Sequence, residues 1–105
     1  MMNFAISTPL ELPCGIRLKN RLAKSAMTEA LADSHDTPTI AHQTLYKRWS
    51  EGGLALQLTG NVMIDRRYLE RPGNVVVEDE SALDALKQWA RAAKSGGSQI
   101  WMQIS

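Results

Sequence analysis

The chain has 105 residues, of which 44% are hydrophobic and 22% are charged, as in an ordinary soluble globular domain. A formal net charge of +1 argues against a nucleic-acid partner, and no apolar run approaches the roughly 20 residues that a membrane span needs. The single cysteine, Cys14, excludes an intrachain disulfide. Because the N-terminus also lacks the pattern of a secretory leader, we expect a cytoplasmic protein with no membrane partner.

The first predicted elements are a hairpin and a buried strand. Apolar and polar residues alternate on both sides of the turn sequence Pro13-Cys14-Gly15, which predicts a hairpin over residues 8–20. The apolar segment 22–27 predicts the first buried strand. The polar segment 33–38, which contains a proline, predicts a loop.

A first helix–Gly-Gly–strand unit follows the loop. Ala41, Leu45 and Trp49 recur at helical spacing, which predicts a helix over 39–51 with these residues in one apolar stripe. Gly52-Gly53 is expected to end the helix. A second buried strand is predicted over 54–59, closing on Gly60-Asn61.

A second unit of the same kind follows a long connection over residues 62–80. Its helix is predicted to begin near Ser81, because Ser81 and Asp84 fit the Ser-x-x-Asp capping pattern. Gly96-Gly97 ends this helix, and a third strand is predicted over 98–104. The two Gly-Gly junctions are 96 − 52 = 44 residues apart.

Repeated units of this kind predict a parallel sheet with crossover helices. The first strand is not followed by G-x-G-x-x-G, so a dinucleotide-binding sheet is disfavoured and a closed barrel is favoured. The sequence stops inside the strand-like run 98–105. A parallel strand needs cover on both faces and both edges, so we expect the opening portion of a larger protein and self-association through the exposed sheet edge.

Three motifs occur in order and with consistent spacing along the chain. They are LKNRLAKSAMTE at 18–29, YKRWSEGG at 46–53 with LTGN at 58–61, and GSQIWMQI at 97–104. Together they resemble the N-terminal part of the Old Yellow Enzyme family of FMN-dependent NAD(P)H:flavin oxidoreductases. The resemblance implies an α/β fold: a partial TIM (β/α)8 barrel over 1–105, with an N-terminal hairpin, the first three parallel strands and two helices.

The resemblance also implies cofactor-binding residues where three strands end: Ser25, Ala26, Met27, Thr28, Gly60 and Gln103. It implies that the Thr28 hydroxyl reaches the carbonyl next to the reactive flavin nitrogen. Gly60 would let the chain pass close to the ring, and the Gln103 amide would bond the pyrimidine portion. The chain differs from the family pattern at two positions. Ala26 replaces a proline found in many members, and Ala30 replaces a tyrosine found in some branches.

In the Old Yellow Enzyme family, NAD(P)H reduces bound FMN, and the flavin delivers hydride to a small electrophile such as an enone. The residues that hold the substrate, the proton donor and the FMN phosphate come from later strands. We therefore expect no catalytic residue and no metal site in this chain, and weak or absent FMN binding by the chain alone.

Other interpretations of the sequence stay open. The chain could be a non-catalytic truncated product, or an interaction module that completes a barrel with another chain. A different TIM-barrel enzyme is a weaker alternative. The basic cluster Arg66, Arg67 and Arg71 could face a phosphate or a substrate carboxylate, although a solvated loop is the favoured interpretation. Trp101 shares a strand face with Gln103; it could narrow the cavity, although packing in the core is the favoured interpretation.

Overall fold

The computed structural model describes residues 5–105, so the first four residues of the predicted 1–105 domain lie outside the described residues. A short 3-10 turn at Ala5–Ser7 precedes β1 (Leu10–Glu11) and β2 (Arg17–Leu18). These two strands pair antiparallel, which confirms the predicted hairpin. Its turn depends on Gly15, whose φ of 92° favours glycine.

The main sheet contains four parallel strands: β3 (Ala23–Lys24), β4 (Leu56–Met63), β5 (Val75–Val76) and β6 (Gln99–Ile104). β4 is central. Leu56 pairs with Ala23 on one side and with Gln99 on the other, so β3 and β6 flank β4. At its other end β4 pairs with β5 on the side opposite β6, so β5 shares an edge with β3. Three strands in sequence order and in parallel register confirm the predicted α/β fold.

Two helices, α1 (Ile40–Glu51) and α2 (Leu83–Lys94), pack side by side against one face of this sheet. The core lies between the helices and the sheet and contains Tyr46, Val62, Val75, Trp89 and Ala93. The predicted helix limits agree with the observed ones to within two residues. Within residues 5–105, no helix is long and apolar enough to cross a membrane.

Two predicted strand boundaries and one predicted helix cap were wrong. β3 is only two residues long, because the chain leaves the sheet after Lys24. β4 does not close on Gly60-Asn61 but continues to Met63. The proposed Ser81 cap is not formed: the Ser81 N–H donates to the carboxylate of Asp79, and α2 begins two residues later.

The predicted apolar stripe of α1 is only partly buried, with Leu45 and Trp49 packed against the core. Ala41 is exposed, and Leu45 and Trp49 are only half-buried. The residues of α1 with no exposed surface each carry a polar group: His42, Tyr46 and Ser50. Each of these three side chains forms at least one specific hydrogen bond, which offsets part of the cost of burying it. The spacing of apolar residues therefore does not predict this buried face, which is formed by polar side chains.

The two glycines of the second Gly-Gly pair have different structural roles. A β-carbon on Gly96 would lie 2.3 Å from the carbonyl oxygen of Ser50, so only glycine lets the end of α2 approach the end of α1. The Gly96 N–H donates to Ser50 Oγ at 2.9 Å across this junction. Gly97 then turns the chain into β6 with a φ of 92°.

His42 is a neutral, buried member of the core. Its Nδ1 accepts the backbone N–H of Thr39 at 3.0 Å and so caps α1. Its ring lies 4.8 Å from the ring of Trp89, centre to centre. Burial lowers the pKa of His42 below its ordinary value, and the nearby Glu29 only partly opposes this.

We predict that His42 makes the fold sensitive to mild acid. The pKa of His42 is lower in the folded than in the unfolded chain. The contribution of His42 to the free energy of unfolding is therefore fully present above pH 6.5 and is lost as the pH falls below that value. The slope from one such group is at most about 1.4 kcal/mol per pH unit. His42→Gln keeps an acceptor for Thr39 and should flatten the slope between pH 7 and pH 5.5 in denaturant titrations.

The exposed His35 provides the matched control. His35→Gln should keep the slope of the unsubstituted chain. Equal slopes in the two variants would contradict the assignment to His42.

Candidate functional site

The carboxyl ends of β3, β4 and β6 meet at one rim of the sheet. The backbone N–H of Asn61 on β4 lies 3.4 Å from the hydroxyl of Thr28, which follows β3. Asn61 is also opposite Gln103 on β6, and Gln103 Nε2 donates to Asn61 Oδ1 at 2.7 Å. Three segments that are far apart in sequence are therefore joined at this rim, through a residue that the sequence analysis did not single out.

A β-bulge in β4 creates this arrangement. Leu58 lies opposite Trp101 and Asn61 lies opposite Gln103, so two residues of β4 face the single Met102 between them. The extra residue shifts the alternation of side chains by one position. Without the bulge, Asn61 would turn toward the helices.

The two faces of the sheet can be assigned from one buried side chain. Gln57 Nε2 donates to the carbonyl oxygens of Tyr46 and Ala93, at 3.0 and 3.2 Å, so Gln57 points toward the helices. Leu58 must then point away from them. Its partner Trp101 and, two residues on, Gln103 share that side, which we call the open face.

The bulge removes backbone amides from the regular ladder, and hydroxyl groups replace the lost acceptors. Buried amides without partners are strongly disfavoured, so such replacements stabilise the irregular strand. The three pairs are Gly60 N with Tyr46 Oη at 3.3 Å, Asn61 N with Thr28 Oγ1 at 3.4 Å, and Gln103 N with Thr59 Oγ1 at 2.9 Å.

Gly60 is required by the segment after β3. A β-carbon at Gly60 would lie 2.6 Å from the carbonyl oxygen of Met27 and 2.7 Å from the Cα of Thr28. Gly73 has the same relation to Ala30, whose carbonyl oxygen would lie 2.7 Å from an added β-carbon. Residues 27–30 are therefore clamped between two glycines, and Ala30 is held at a φ of 56°.

The rim offers several polar atoms to a ligand. Within residues 5–105, no hydrogen bond is donated by the Thr28 hydroxyl or the Asn61 side-chain amide, and none is accepted by Gln103 Oε1. Met27 lies beside them with half of its surface exposed. A planar ring with an alternating edge of C=O and N–H groups, such as the pyrimidine part of a flavin, fits this donor and acceptor set.

The other predicted site residues lie on the same segment but take no part in these bonds. The carbonyl oxygen of Ser25 accepts a hydrogen bond from Lys24 Nζ at 2.8 Å, and the Ser25 side chain is exposed. Ala26 is half-buried between Ser25 and Met27. Their part in cofactor binding stays a prediction.

A buried polar group lies directly behind the rim, and the sequence analysis missed it. Tyr46 donates its hydroxyl proton to the carboxylate of Glu29. Lys24 Nζ lies 5.3 Å from the Tyr46 ring centre and 5.0 Å from that of Trp49. Burial lowers the pKa of Lys24, while the charge of Glu29 raises it. A lysine inside an apolar strand pattern was the available signal.

The basic cluster after β4 is neutralised by nearby acids. Arg66 contacts Asp36 at 3.3 Å and Glu78 at 2.5 Å, which ties together the loops after β3 and β5. The neighbouring arginines are paired as well: Arg67 with Asp65 at 2.7 Å, and Arg71 with Glu70 at 2.8 Å. These ion pairs favour a role in loop structure over phosphate binding.

Comparison with known proteins identifies relatives that match all or most of the chain. The NADH-dependent flavin oxidoreductase iliE of Hypocrea jecorina is 30% identical over 100% of this chain, which spans 27% of that relative. The probable NADH-dependent flavin oxidoreductase YqiG of Bacillus subtilis is 27% identical over 91% of this chain, which spans 26% of it. The chain thus spans about a quarter of the length of these two relatives. No protein-family model matches.

Solved structures give the same fold. The Old Yellow Enzyme from Pichia sp. superposes on 95% of the chain with a TM-score of 0.84 at 21% identity, and 26% of that enzyme is covered. Morphinone reductase gives a TM-score of 0.82 at 18% identity, with 26% of its chain covered. The chain is therefore homologous over its whole length to proteins named NADH-dependent flavin oxidoreductases, and its fold is that of a part of the Old Yellow Enzymes.

Proposed function

We propose that this chain forms the ring-binding wall of an FMN-dependent NAD(P)H oxidoreductase. The observation that carries the proposal is the rim at which Thr28, Asn61 and Gln103 converge, each with hydrogen-bonding capacity left for a ligand. Relatives named NADH-dependent flavin oxidoreductases support the same conclusion. The site follows the general rule for parallel barrels, in which function lies at the carboxyl ends of the strands.

Each rim residue has a role that its free atoms permit. The Thr28 hydroxyl would donate to a ring carbonyl, and Gln103 Oε1 would accept from a ring N–H. The backbone of Ser25, Ala26 and Met27 would line the ring edge. When bound, FMN supplies hydride transfer between NAD(P)H and a small electrophile such as an enone, and the protein supplies orientation and hydrogen bonds.

The position of Gly60 supports a modified role for this residue. Its missing side chain accommodates residues 27–29, so Gly60 would act on the cofactor by fixing Thr28 instead of by making room for the ring.

The single exposed cysteine supports a reducing, cytoplasmic setting.

We predict that the chain by itself binds flavin weakly and through the ring alone. The arginines after β4 are paired with acids, so the FMN phosphate gains little here. After mixing with excess FMN and removal of free ligand, absorbance at the flavin maximum should be far below one flavin per chain. FMN and riboflavin should have dissociation constants within about twofold of each other in equilibrium dialysis, because a phosphate without a contact adds little affinity.

A pair of glutamine variants tests the ring contact. Gln103→Ala should raise the dissociation constants of FMN and riboflavin by about fivefold, which is the effect of losing one hydrogen bond of about 1 kcal/mol. Gln88→Ala, on the exposed side of α2, should leave both unchanged. Stoichiometric retention of FMN, or equal affinities of the two variants, would contradict the proposal.

A second candidate function, a module that completes a barrel with another chain, is favoured by the uncovered side of β6. Within residues 5–105, β6 pairs only with β4. Trp101, Met102 and Ile104 are 43%, 42% and 66% exposed. A groove of about 300 Å³ between α2 and β6 is lined mostly by apolar side chains, including Leu86 and Ile100. An unpaired edge beside an apolar surface favours association with another strand.

We predict concentration-dependent self-association through this edge. Ile104→Lys should suppress it, because a charged side chain on an edge strand opposes pairing. Ile40→Lys, on the exposed surface of α1 with 75% of Ile40 accessible, should have no effect. Sedimentation velocity over a concentration series measures both. A monomer at every concentration, with a cooperative melt, would refute the prediction.

A further inference from the structure

Tyr46 is held in one orientation by the core. Its side chain has no exposed surface. Its ring packs edge-on against Trp49 and Trp89, with ring centres 5.3 and 5.2 Å apart. Two aromatic contacts at nearly right angles leave little freedom for the ring, so the direction of the hydroxyl is fixed.

The hydroxyl joins two elements of the rim. It donates its proton to the carboxylate of Glu29 and accepts the backbone N–H of Gly60 at 3.3 Å. A tyrosine hydroxyl has one proton, so donation to Glu29 directs a lone pair toward Gly60. Burial, together with the bond to Glu29, raises the pKa of Tyr46 far above its ordinary value, which keeps this proton in place.

Glu29 is placed to orient the hydroxyl. It belongs to the segment that Gly60 and Gly73 clamp, and its Oε1 would lie 2.6 Å from a β-carbon added to Gly60. The charge on Glu29 also acts on Lys24, whose ammonium group lies over the Tyr46 ring. The carboxylate therefore bonds the Tyr46 hydroxyl and also interacts electrostatically with Lys24.

We propose that Tyr46, oriented by Glu29, is a positioning residue that holds the bulge in β4 and thereby keeps Asn61 on the open face. The inference rests on the proposed function for its biological meaning, because the open face is the surface proposed to meet the flavin. Without the hydroxyl, the Gly60 amide is left buried and unpaired. A strand freed from the bulge would return to regular alternation, which turns Asn61 toward the helices.

Hydrogen–deuterium exchange on the full 105-residue chain tests the device without any flavin. Tyr46→Phe keeps the ring and removes the hydroxyl. Tyr68→Phe makes the same chemical change at the only other tyrosine, which is 70% exposed. We expect amides of residues 59–61 to exchange at least 10-fold faster in Tyr46→Phe, with α2 changed less than twofold, and no change in Tyr68→Phe.

Glu29→Ala gives a second measurement that leaves the aromatic core intact. It should reproduce the localised loss of protection, and Glu29→Gln, which retains an acceptor oxygen, should restore most of it. Unchanged protection of residues 59–61 in Tyr46→Phe and Glu29→Ala, or an equal loss over the whole chain, would overturn the proposal. Because no cofactor is present, failure of the proposed flavin site and failure of this device are read from different experiments.

Discussion

The arrangement of this chain depends on what happens to backbone amides that leave a β-ladder. A buried N–H without an acceptor is costly, so a bulge persists only where other groups accept its amides. Here the hydroxyls of Tyr46, Thr28 and Thr59 accept the amides of Gly60, Asn61 and Gln103. Each hydroxyl comes from a different element, so α1, the segment after β3 and β4 itself are joined at one place.

This constraint links the fold to the candidate site. The bulge moves Asn61 onto the face that carries Gln103, and the hydrogen bond between them joins the ends of β4 and β6. The bulge also places Gly60 against the segment after β3. Because glycine has no side chain, residues 27–29 can pack closely against β4 at this position. A regular strand would give the same overall fold with a different rim.

The overall architecture could be predicted because its signals are local. Gly-Gly pairs after each helix, apolar strands and the turn at Pro13-Gly15 are readable in the sequence, and the observed parallel order follows from them. The buried face of α1 could not be predicted, because His42 and Ser50 are buried through bonds to Thr39 and Gly96 that are invisible to hydrophobic periodicity. The bulge was missed for a related reason. Nothing in Thr59-Gly60-Asn61 distinguishes a strand end from a shifted strand until Tyr46 and Thr28 are seen against it. Family resemblance led to Thr28, Gly60 and Gln103, and did not lead to Asn61, Glu29 or Tyr46.

We propose that a flavin ring binds this chain at the rim that the bulge in β4 forms. Selective ¹⁵N-glycine labelling gives one amide signal for each of seven glycines, which are spread over the sheet and its turns. The most direct measurement is an FMN titration followed by these signals. We expect the Gly60 signal to shift progressively, while the signals of Gly15 in the hairpin and Gly97 at the amino end of β6 stay in place. A shift centred on Gly15 or Gly97, or no shift of Gly60 at FMN concentrations that occupy the chain, would contradict it.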